Sequence, residues 1–390
     1  MDINELLQFA TPRQREMIEA VSEHGGGIRA AKALGCSPSA ITSAMNAVKK
    51  KALAKGYDVD ALNVVNLKYK PPANLAVTGT STLVDEDGNV KLQWVKTKTD
   101  EETRHNALLE AIELAAESYQ PVPKVKAPRK HRDSDLLNVL PLGDPHLGLY
   151  SWMEESGEDW NTDKAERILL QAADWAIESA PDAETCLILN LGDFFHSDNK
   201  GNTTTKGTQV DVDTRWARVL VIGYNVMIRM TERALEKHKH VIVRNVIGNH
   251  DDHTAMALSV AMQAAFRNNP RVTIEMSPSK TWRMVHGKCL IAATHGDTVK
   301  GQRLQDVMVC DWAKEWGETE HRYWYLGHVH HTRKVELAGV VVESFRTLAA
   351  KDAWHAGQGY RSGRDLYCIT LHKDYGEIGR TRFDCSMFRG

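Results

Sequence analysis

Five short clusters of Asp, His and Asn punctuate the second half of this 390-residue chain, each directly after a mainly apolar run. They are Gly143-Asp-Pro-His-Leu-Gly148, Gly192-Asp-Phe-Phe-His196, Gly248-Asn-His-Asp251, Thr294-His-Gly-Asp297 and Gly327-His-Val-His330. A structural turn uses the glycine and sometimes the asparagine, but has no need of an imidazole and a carboxylate beside them. Carboxylate, amide and imidazole donors without cysteine suit a pair of hard-to-borderline divalent cations, manganese first, with iron or zinc as substitutes. A carboxylate able to bridge two ions about 3.5–4 Å apart is what two-metal phosphoester chemistry requires.

Ligands from five separate places need elements that carry them to one edge. Short aliphatic and β-branched runs predict strands at Leu137–Leu142, Cys186–Leu191, Val241–Ile247, Leu290–Thr294 and Tyr323–Leu326, each ending in one cluster. Further strands are expected at Val272–Glu275, Trp282–Val285, Val335–Leu337 and Val340–Glu343, with a hairpin inside 366–383. Helical patterns fill Asp163–Ser179, Asp213–His238, Ala255–Arg267 and Gly301–Glu315. Early βαβαβ order followed by strand-dominated sequence predicts an α/β fold of two packed mixed β-sheets flanked by helices. The clusters then occupy the carboxyl-end loops, where such sheets hold ligands.

Upstream, residues 1–57 read as a small all-α unit. Thr11-Pro12 opens a helix over Arg13–Glu23, Gly25-Gly-Gly27 breaks it, Ile28–Leu34 stops at Gly35, and Ser37-Pro38 starts a third helix to about Lys55. The pattern is similar to helix-turn-helix modules. Its third helix carries Ser39, Thr42, Ser43, Asn46, Lys49, Lys50 and Lys51, with no acid between Pro38 and Gly56, a surface suited to DNA. The alternative is a docking module with a solvated basic face. Residues 58–119 read as a connector, a β-hairpin around Asp85–Asn89 followed by a helix over Glu101–Glu117. Residues 120–135 read as a basic, Pro-spaced, solvated linker ahead of a catalytic domain over 136–390.

A net charge of -2, with 42% hydrophobic and 26% charged residues, leaves only local clusters to speak for a nucleic-acid partner. No apolar run reaches membrane-spanning length and Met1-Asp-Ile-Asn-Glu5 has no leader pattern, so no membrane partner and a cytoplasmic location are expected. The six cysteines lack CxxC spacing and read as small core residues in a reducing compartment.

Over about residues 136–386 the clusters resemble the five motifs of the calcineurin-like metallophosphoesterase superfamily: D-x-H, G-D-x-x-H, G-N-H-D, an isolated H and G-H-x-H. The resemblance implies a four-layer sandwich. It implies one ion on Asp144, His146 and His330 and another on Asn249, His295 and His328, with Asp193 bridging. It makes His250 the catalytic histidine, Asp251 the acid that orients it, and a hydroxide held by the metals the nucleophile. Asp144-Pro-His-Leu-Gly and Gly192-Asp-Phe-Phe-His are similar to the exonuclease subunit of double-strand-break-repair complexes, where the counterpart of His196 positions the DNA phosphate. In that branch a DNA-capping domain and an ATPase-docking segment follow G-H-x-H. Here about 60 residues follow His330, so an ATPase partner is not expected. Related nucleases are often dimers, which leaves a homodimer open.

The function expected is therefore a two-metal phosphodiesterase, a DNA nuclease of exonuclease type. One alternative is a phosphatase or small-molecule phosphodiesterase with a regulatory N-terminal module. Another is a DNA-binding or assembly protein with a vestigial site, against which the complete ligand set speaks. His286, His321, His331 and His355 match no motif and read as surface or core histidines, while His253 reads as surface or as a neighbour of the site. Asn202-Thr-Thr-Thr-Lys-Gly207 reads equally as a substrate-contacting lid or a connector. Lys351–Arg361 could stack on a nucleotide; the plainer reading is an irregular segment packing its Trp and Tyr. Trp175, Trp216 and Trp312 read as core anchors.

Overall fold

The computed structural model describes residues 7–24, 26–54, 75–84, 90–99, 125–128 and 132–388, with residues 53–54, 75–84 and 90–99 described through their backbone alone. The chain divides into two compact units, Met1–Asn106 and Ala107–Gly390. In the first, helices α1 (Pro12–His24), α2 (Gly27–Ala33) and α3 (Pro38–Ala54) precede an antiparallel hairpin of β1 (Leu75–Val84) and β2 (Val90–Thr99). Thr11 and Gln14 close a reciprocal capping box at the start of α1, at 3.0 and 3.4 Å. Ile18, Ile41 and Val48 are buried among Ala20, Ala30, Ala31 and Ala52, small residues that let the helices approach closely. On α3, Ser39, Thr42, Ser43, Asn46, Lys50 and Lys51 are exposed and Lys49 is half-buried. The expected helix at Glu101–Glu117 lies outside the described residues.

The second unit is built on two sheets. The larger has the order β13-β12-β3-β4-β5-β6, in which β3 (Asp133–Leu142), β4 (Ala183–Asn190), β5 (His240–Asn245) and β6 (Val272–Glu275) run parallel. The hairpin β12 (Asp365–His372) and β13 (Gly376–Asp384) joins antiparallel to β3. The smaller has the order β10-β11-β9-β8-β7, with β8 (Cys289–Thr294), β9 (His321–Leu326) and β11 (Val340–Ser344) parallel. Its edges, β7 (Trp282–His286) and β10 (Arg333–Leu337), are antiparallel to their neighbours.

Alternation along each strand sorts the core into layers. Leu187, Leu189, Ile291, Ala293, Tyr323, Tyr325 and Ile369 fill the space between the sheets. The intervening Cys186 and Ile188 face helices α5 (Thr162–Ser179), α6 (Trp216–Lys237) and α7 (Asp252–Phe266); the one-turn α4 (Met153–Ser156) precedes α5. Leu290, Ala292 and Trp324 face α8 (Gln302–Asp311) and α9 (Ala313–Glu318). The result is a four-layer α/β sandwich, two mixed sheets between helices. Trp216 and Trp312 are buried, and Trp175 packs partly buried against the helix-side core.

Three local expectations differ. The single helix expected over Gly301–Glu315 is two, broken at Trp312, whose buried ring packs on Trp324 at 5.4 Å with the Arg283 guanidinium over it at 5.0 Å. No Gly or Pro marks that break, because tertiary packing makes it. The basic linker is docked at two points: Val125 packs on the helix-side core and accepts Arg271 Nη1 at 2.8 Å, while Arg132 binds Lys237 O and pairs with Asp182 at 2.9 Å, and Lys126 and Ala127 are exposed. Cys310 is exposed, unlike the buried Cys186, Cys289 and Cys368. Among the described residues, no helix is long and apolar enough to cross a membrane.

At the amino-end of the large sheet lies a buried polar knot. His238 Nδ1 donates to Ala234 O at 2.9 Å, and its Nε2 meets Asn138 Nδ2 at 3.0 Å. Asn138 Oδ1 in turn accepts the Thr370 hydroxyl at 2.9 Å. The neutral imidazole satisfies both partners, and burial, outweighing the Ala234 carbonyl, lowers the His238 pKa to about 4. The unfolded chain takes up this proton below about pH 6.5, so the contribution is complete above that pH and is lost as pH falls toward about 4. The stability difference between the wild type and His238→Gln should therefore shrink by roughly 2–3 kcal/mol between pH 7 and 4.5 in denaturant titrations. A pH-independent difference would place a charged His238 in the fold.

Candidate metal centre

Each cluster occupies the turn after a parallel strand: Asp144 and His146 after β3, Asp193 and His196 after β4, Asn249 to Asp251 after β5, His295 after β8, and His328 and His330 after β9. To aim their side chains inward these turns use backbone conformations that side chains resist. Among the described residues, six non-glycine positions have positive φ; five are Asp144 (45°), His146 (45°), Asp193 (50°), His328 (69°) and His330 (54°). Two glycines admit the close approach of the turns. A Cβ on Gly248 would overlap the Oδ1 and backbone nitrogen of Asp193, and one on Gly327 would lie 2.8 Å from Asp144 Oδ2. This is why apolar strands here end in glycine before their polar residues.

The side chains gather into adjoining sets. Asp144, His146 and His330 bring one donor atom each within 4.8 Å of the others, as do Asp193, His295 and His328. His146 Nε2 is 3.1 Å from His330 Nε2, and His330 Nε2 is 3.8 Å from Asp144 Oδ1. In the second set, His295 Nε2 is 3.1 Å from Asp193 Oδ2 and 3.0 Å from Asn249 Oδ1. His295 Nδ1 donates to Leu191 O at 2.9 Å, which turns Nε2 into the cluster. The two sets adjoin through His295 Nδ1 and Asp144 Oδ1, 3.7 Å apart.

The electrostatics call for a cation. Asp144, His146, Asp193 and His295 are almost wholly buried. Burial, and after it neighbouring imidazoles, pushes His146 well below its ordinary pKa and His330 to about 3, so both are neutral near pH 7, the form that ligates metals. Burial raises Asp144 to about 7, with the charge of Asp193 adding to it and that of His295 opposing it. For His295 burial is outweighed by Asp193 and Asp144, which raise it to about 10, while His295 holds the Asp193 carboxyl low despite burial. Positive charge is thus favoured at His295 beside two buried acids, and a ligating His295 would give up that proton to a bound cation. Donors about 3 Å apart have the spacing of neighbouring ligands around one ion with bonds near 2.1 Å. An all-nitrogen-and-oxygen donor set short of positive charge fits divalent cations.

His250 lies half-buried at the edge of the first set, its ring 4.8 Å from that of His146. Its Nδ1 donates to His196 O at 2.8 Å, so the proton-exchanging nitrogen is Nε2. Asp251, expected to orient that ring, does something else. Its Oδ1 accepts the amides of Asp193 (3.2 Å) and Gly248 (3.1 Å), and its Oδ2 accepts that of Phe195 (3.2 Å). It is a brace between two turns, and the His196 carbonyl takes the orienting role. His196 is 2% exposed, with Nδ1 3.3 Å from His146 Nδ1, its ring stacked at 5.4 Å on that of His250, and its Nε2 without a hydrogen-bond partner among the described residues.

Three residues outside the five motifs also lie at the site. The Thr347 hydroxyl donates to Asp144 O at 2.6 Å. His355 stacks on His330, centroids 4.8 Å apart and planes 19° off parallel, and its Nδ1 binds Asp352 Oδ1 at 2.6 Å. The available signal was Asp352 three residues before His355, which reads as a helix N-cap, and Asp352 does cap α10 (Ala353–Gly357). His286 and His321 bind the backbone carbonyls of Asp135 and Asp374, and His331 is exposed. Within Asn202–Gly207, Thr205 donates to Asp198 Oδ2 at 2.8 Å and Thr204 is 5% exposed, so much of its hydroxyl content is turned inward. Asp198 also holds His253, amide at 3.1 Å and Nδ1 at 2.7 Å.

No family model matches this chain, and no curated protein matches it by sequence. Among solved structures it is similar to a predicted phosphoesterase from Streptococcus pneumoniae, at 9% identity and a TM-score of 0.25, covering 64% of this chain and 98% of that one. It is also similar to the zinc-complexed wild-type Vps29 of Entamoeba histolytica, at 13% identity and a TM-score of 0.26, covering 64% and 99%. The vacuolar protein sorting 29 of Cryptosporidium parvum gives 14% identity and a TM-score of 0.28, covering 64% and 98%.

Asp251→Asn separates bracing from ring orientation. An amide can keep Oδ1 on Asp193 and Gly248 but must turn its NH2 toward the Phe195 N–H. Thermal unfolding in excess chelator should show a loss of roughly 2–3 kcal/mol. Unchanged stability with impaired turnover would return Asp251 to the orienting role.

Proposed function

We propose that this protein is a two-metal phosphodiesterase acting on DNA. The observation that carries the reading is the convergence of donors from five separate turns into two adjoining sets, with one imidazole outside both whose Nδ1 proton is fixed. Asp144, His146 and His330 would hold one divalent ion, and Asn249, His295 and His328 the other, with Asp193 between them. Manganese suits these donors, with iron or zinc as substitutes. Divalent ions supply charge stabilisation of the phosphate and activation of water.

The chain's own residues do the rest. His295, anchored on Leu191 O, and the amides of His250 and His328, which donate to Asp193 and Asp144 at 2.8 Å, hold the carboxylates in place. As a hydroxide oxygen bonds to phosphorus and the opposite P–O bond breaks, His250 Nε2 gives its proton to the leaving oxygen, and it takes one back when the next water is deprotonated to hydroxide. His196 supports this step from beneath, through the carbonyl that orients His250. In the N-terminal unit, the exposed face of α3 supplies the DNA contacts, Ser39, Thr42, Ser43 and Asn46 at the groove and Lys49, Lys50 and Lys51 at phosphates.

Two measurements test this. Manganese-dependent cleavage of labelled linear DNA should be lost in His250→Ala by at least a hundredfold while metal content stays near two ions per chain. Asp193→Ala should lose metal as well as activity. Hydrolysis of small chromogenic esters without DNA cleavage would replace the nuclease reading with a phosphatase or small-molecule phosphodiesterase. Separately, Lys50→Ala/Lys51→Ala should weaken DNA binding and reduce the slope of log K against log salt by about 2. An unchanged slope would make α3 a protein-docking face.

A further inference from the structure

Beside His330 opens a cavity of about 450 Å3, within the range of small-ligand pockets, about 300–1,000 Å3. Its lining includes His355, Tyr360, Lys351 and Arg364. Trp354 packs on two of these rings, at 4.9 Å from His355 and 5.9 Å from Tyr360, yet remains 60% exposed. The sequence favoured a packed Trp in this segment; instead the indole is offered to solvent next to a candidate ligand. The ring series is continuous: His330 on His355 at 4.8 Å, His355 against Tyr360 at 5.0 Å.

Arg364 adds a polar requirement. Its Nη2 pairs with Glu158 at 3.0 Å and its guanidinium lies over the Trp160 ring at 5.2 Å, which fixes the group. Its Nη1 is buried with no hydrogen-bond partner among the described residues. Arg364 also lines the cavity, where its fixed positive charge favours an anionic group. An exposed indole and half-buried rings next to a fixed cation suit a base and its phosphate. An acidic peptide would use the cations and leave the rings idle.

We propose that this cavity is a nucleotide subsite, seating one nucleotide of the substrate strand next to the bond that is hydrolysed. The base stacks on Tyr360, which lines the cavity, and on the exposed Trp354 packed beside it, while Arg364 with Lys351 meets the phosphate. The inference rests on the phosphodiesterase reading above and adds to it the position and recognition of the strand. Asp352 acts as a positioning residue, holding His355 and through it the rings.

The test is equilibrium binding of fluorescein-labelled hexathymidylate to the full-length protein, with calcium in place of manganese. Trp354→Ala and Tyr360→Ala should each weaken binding roughly 5- to 100-fold, and Trp354→Phe should recover most of the loss. Near-ultraviolet cross-linking of a 4-thiothymidylate probe to the unmodified protein should map to residues 351–361, a readout independent of any variant's folding. Wild-type protein that binds and cleaves the oligonucleotide, with equal affinity in both alanine variants and cross-links elsewhere, overturns the subsite alone. Wild-type protein that binds no oligonucleotide yet hydrolyses a small chromogenic diester overturns the nuclease reading and the subsite with it.

Discussion

Asp193 is the point from which the centre hangs. Its carbonyl accepts the amide of His146, its own amide donates to Asp251, and its carboxylate takes the His250 amide and His295 Nε2. Three of the other four ligand-bearing turns are therefore registered against one residue, and the contact with His295 lies in a place that water does not reach. In such surroundings an unpaired carboxylate is costly, so each partner is held as firmly as it holds. The Gly248 backbone passes where a side chain would collide with Asp193, so the third turn has one position available to it.

Such tight registration has a cost in the backbone. Left-handed φ values on Asp and His cost of the order of 1–3 kcal/mol each and persist only where the surroundings impose them. The imposition comes from below. Strands β3, β4 and β5 are buried on both faces, with alternate residues in the inter-sheet and helix-side cores, and cannot slip register without exposing one set. Packing that lies beneath the donors thus contributes to their arrangement. A centre built this way is preorganised, with the reorganisation already met by folding.

The same logic explains what could be seen in the sequence. Strands and helices were legible because burial on two faces writes aliphatic residues continuously while helices write them at 3.6-residue spacing. The donors were legible because Asp, His and Asn together are an unusual way to end an apolar strand. Trp312 was not, since the helix break there depends on Trp324 and Arg283, which arrive from other elements. The bracing contacts of Asp251 were hidden for a related reason. It sits beside His250 in sequence, but its partners are backbone amides, two of them more than 50 residues away, and amides leave no mark on sequence.

Asp198 and Asp352 make that last point general. Each accepts both the amide and the Nδ1 of a single histidine, His253 at 3.1 and 2.7 Å and His355 at 2.7 and 2.6 Å. Each also sits near the start of a helix, where donors are unsatisfied and a carboxylate is favoured. One acid thereby settles a helix end and an imidazole tautomer together, leaving Nε2 as the nitrogen able to exchange a proton or meet a ligand. Read alone, either acid is an ordinary cap. Only the fold places His355 on His330, and so turns a capping residue of α10 into part of the surroundings of a candidate metal ligand.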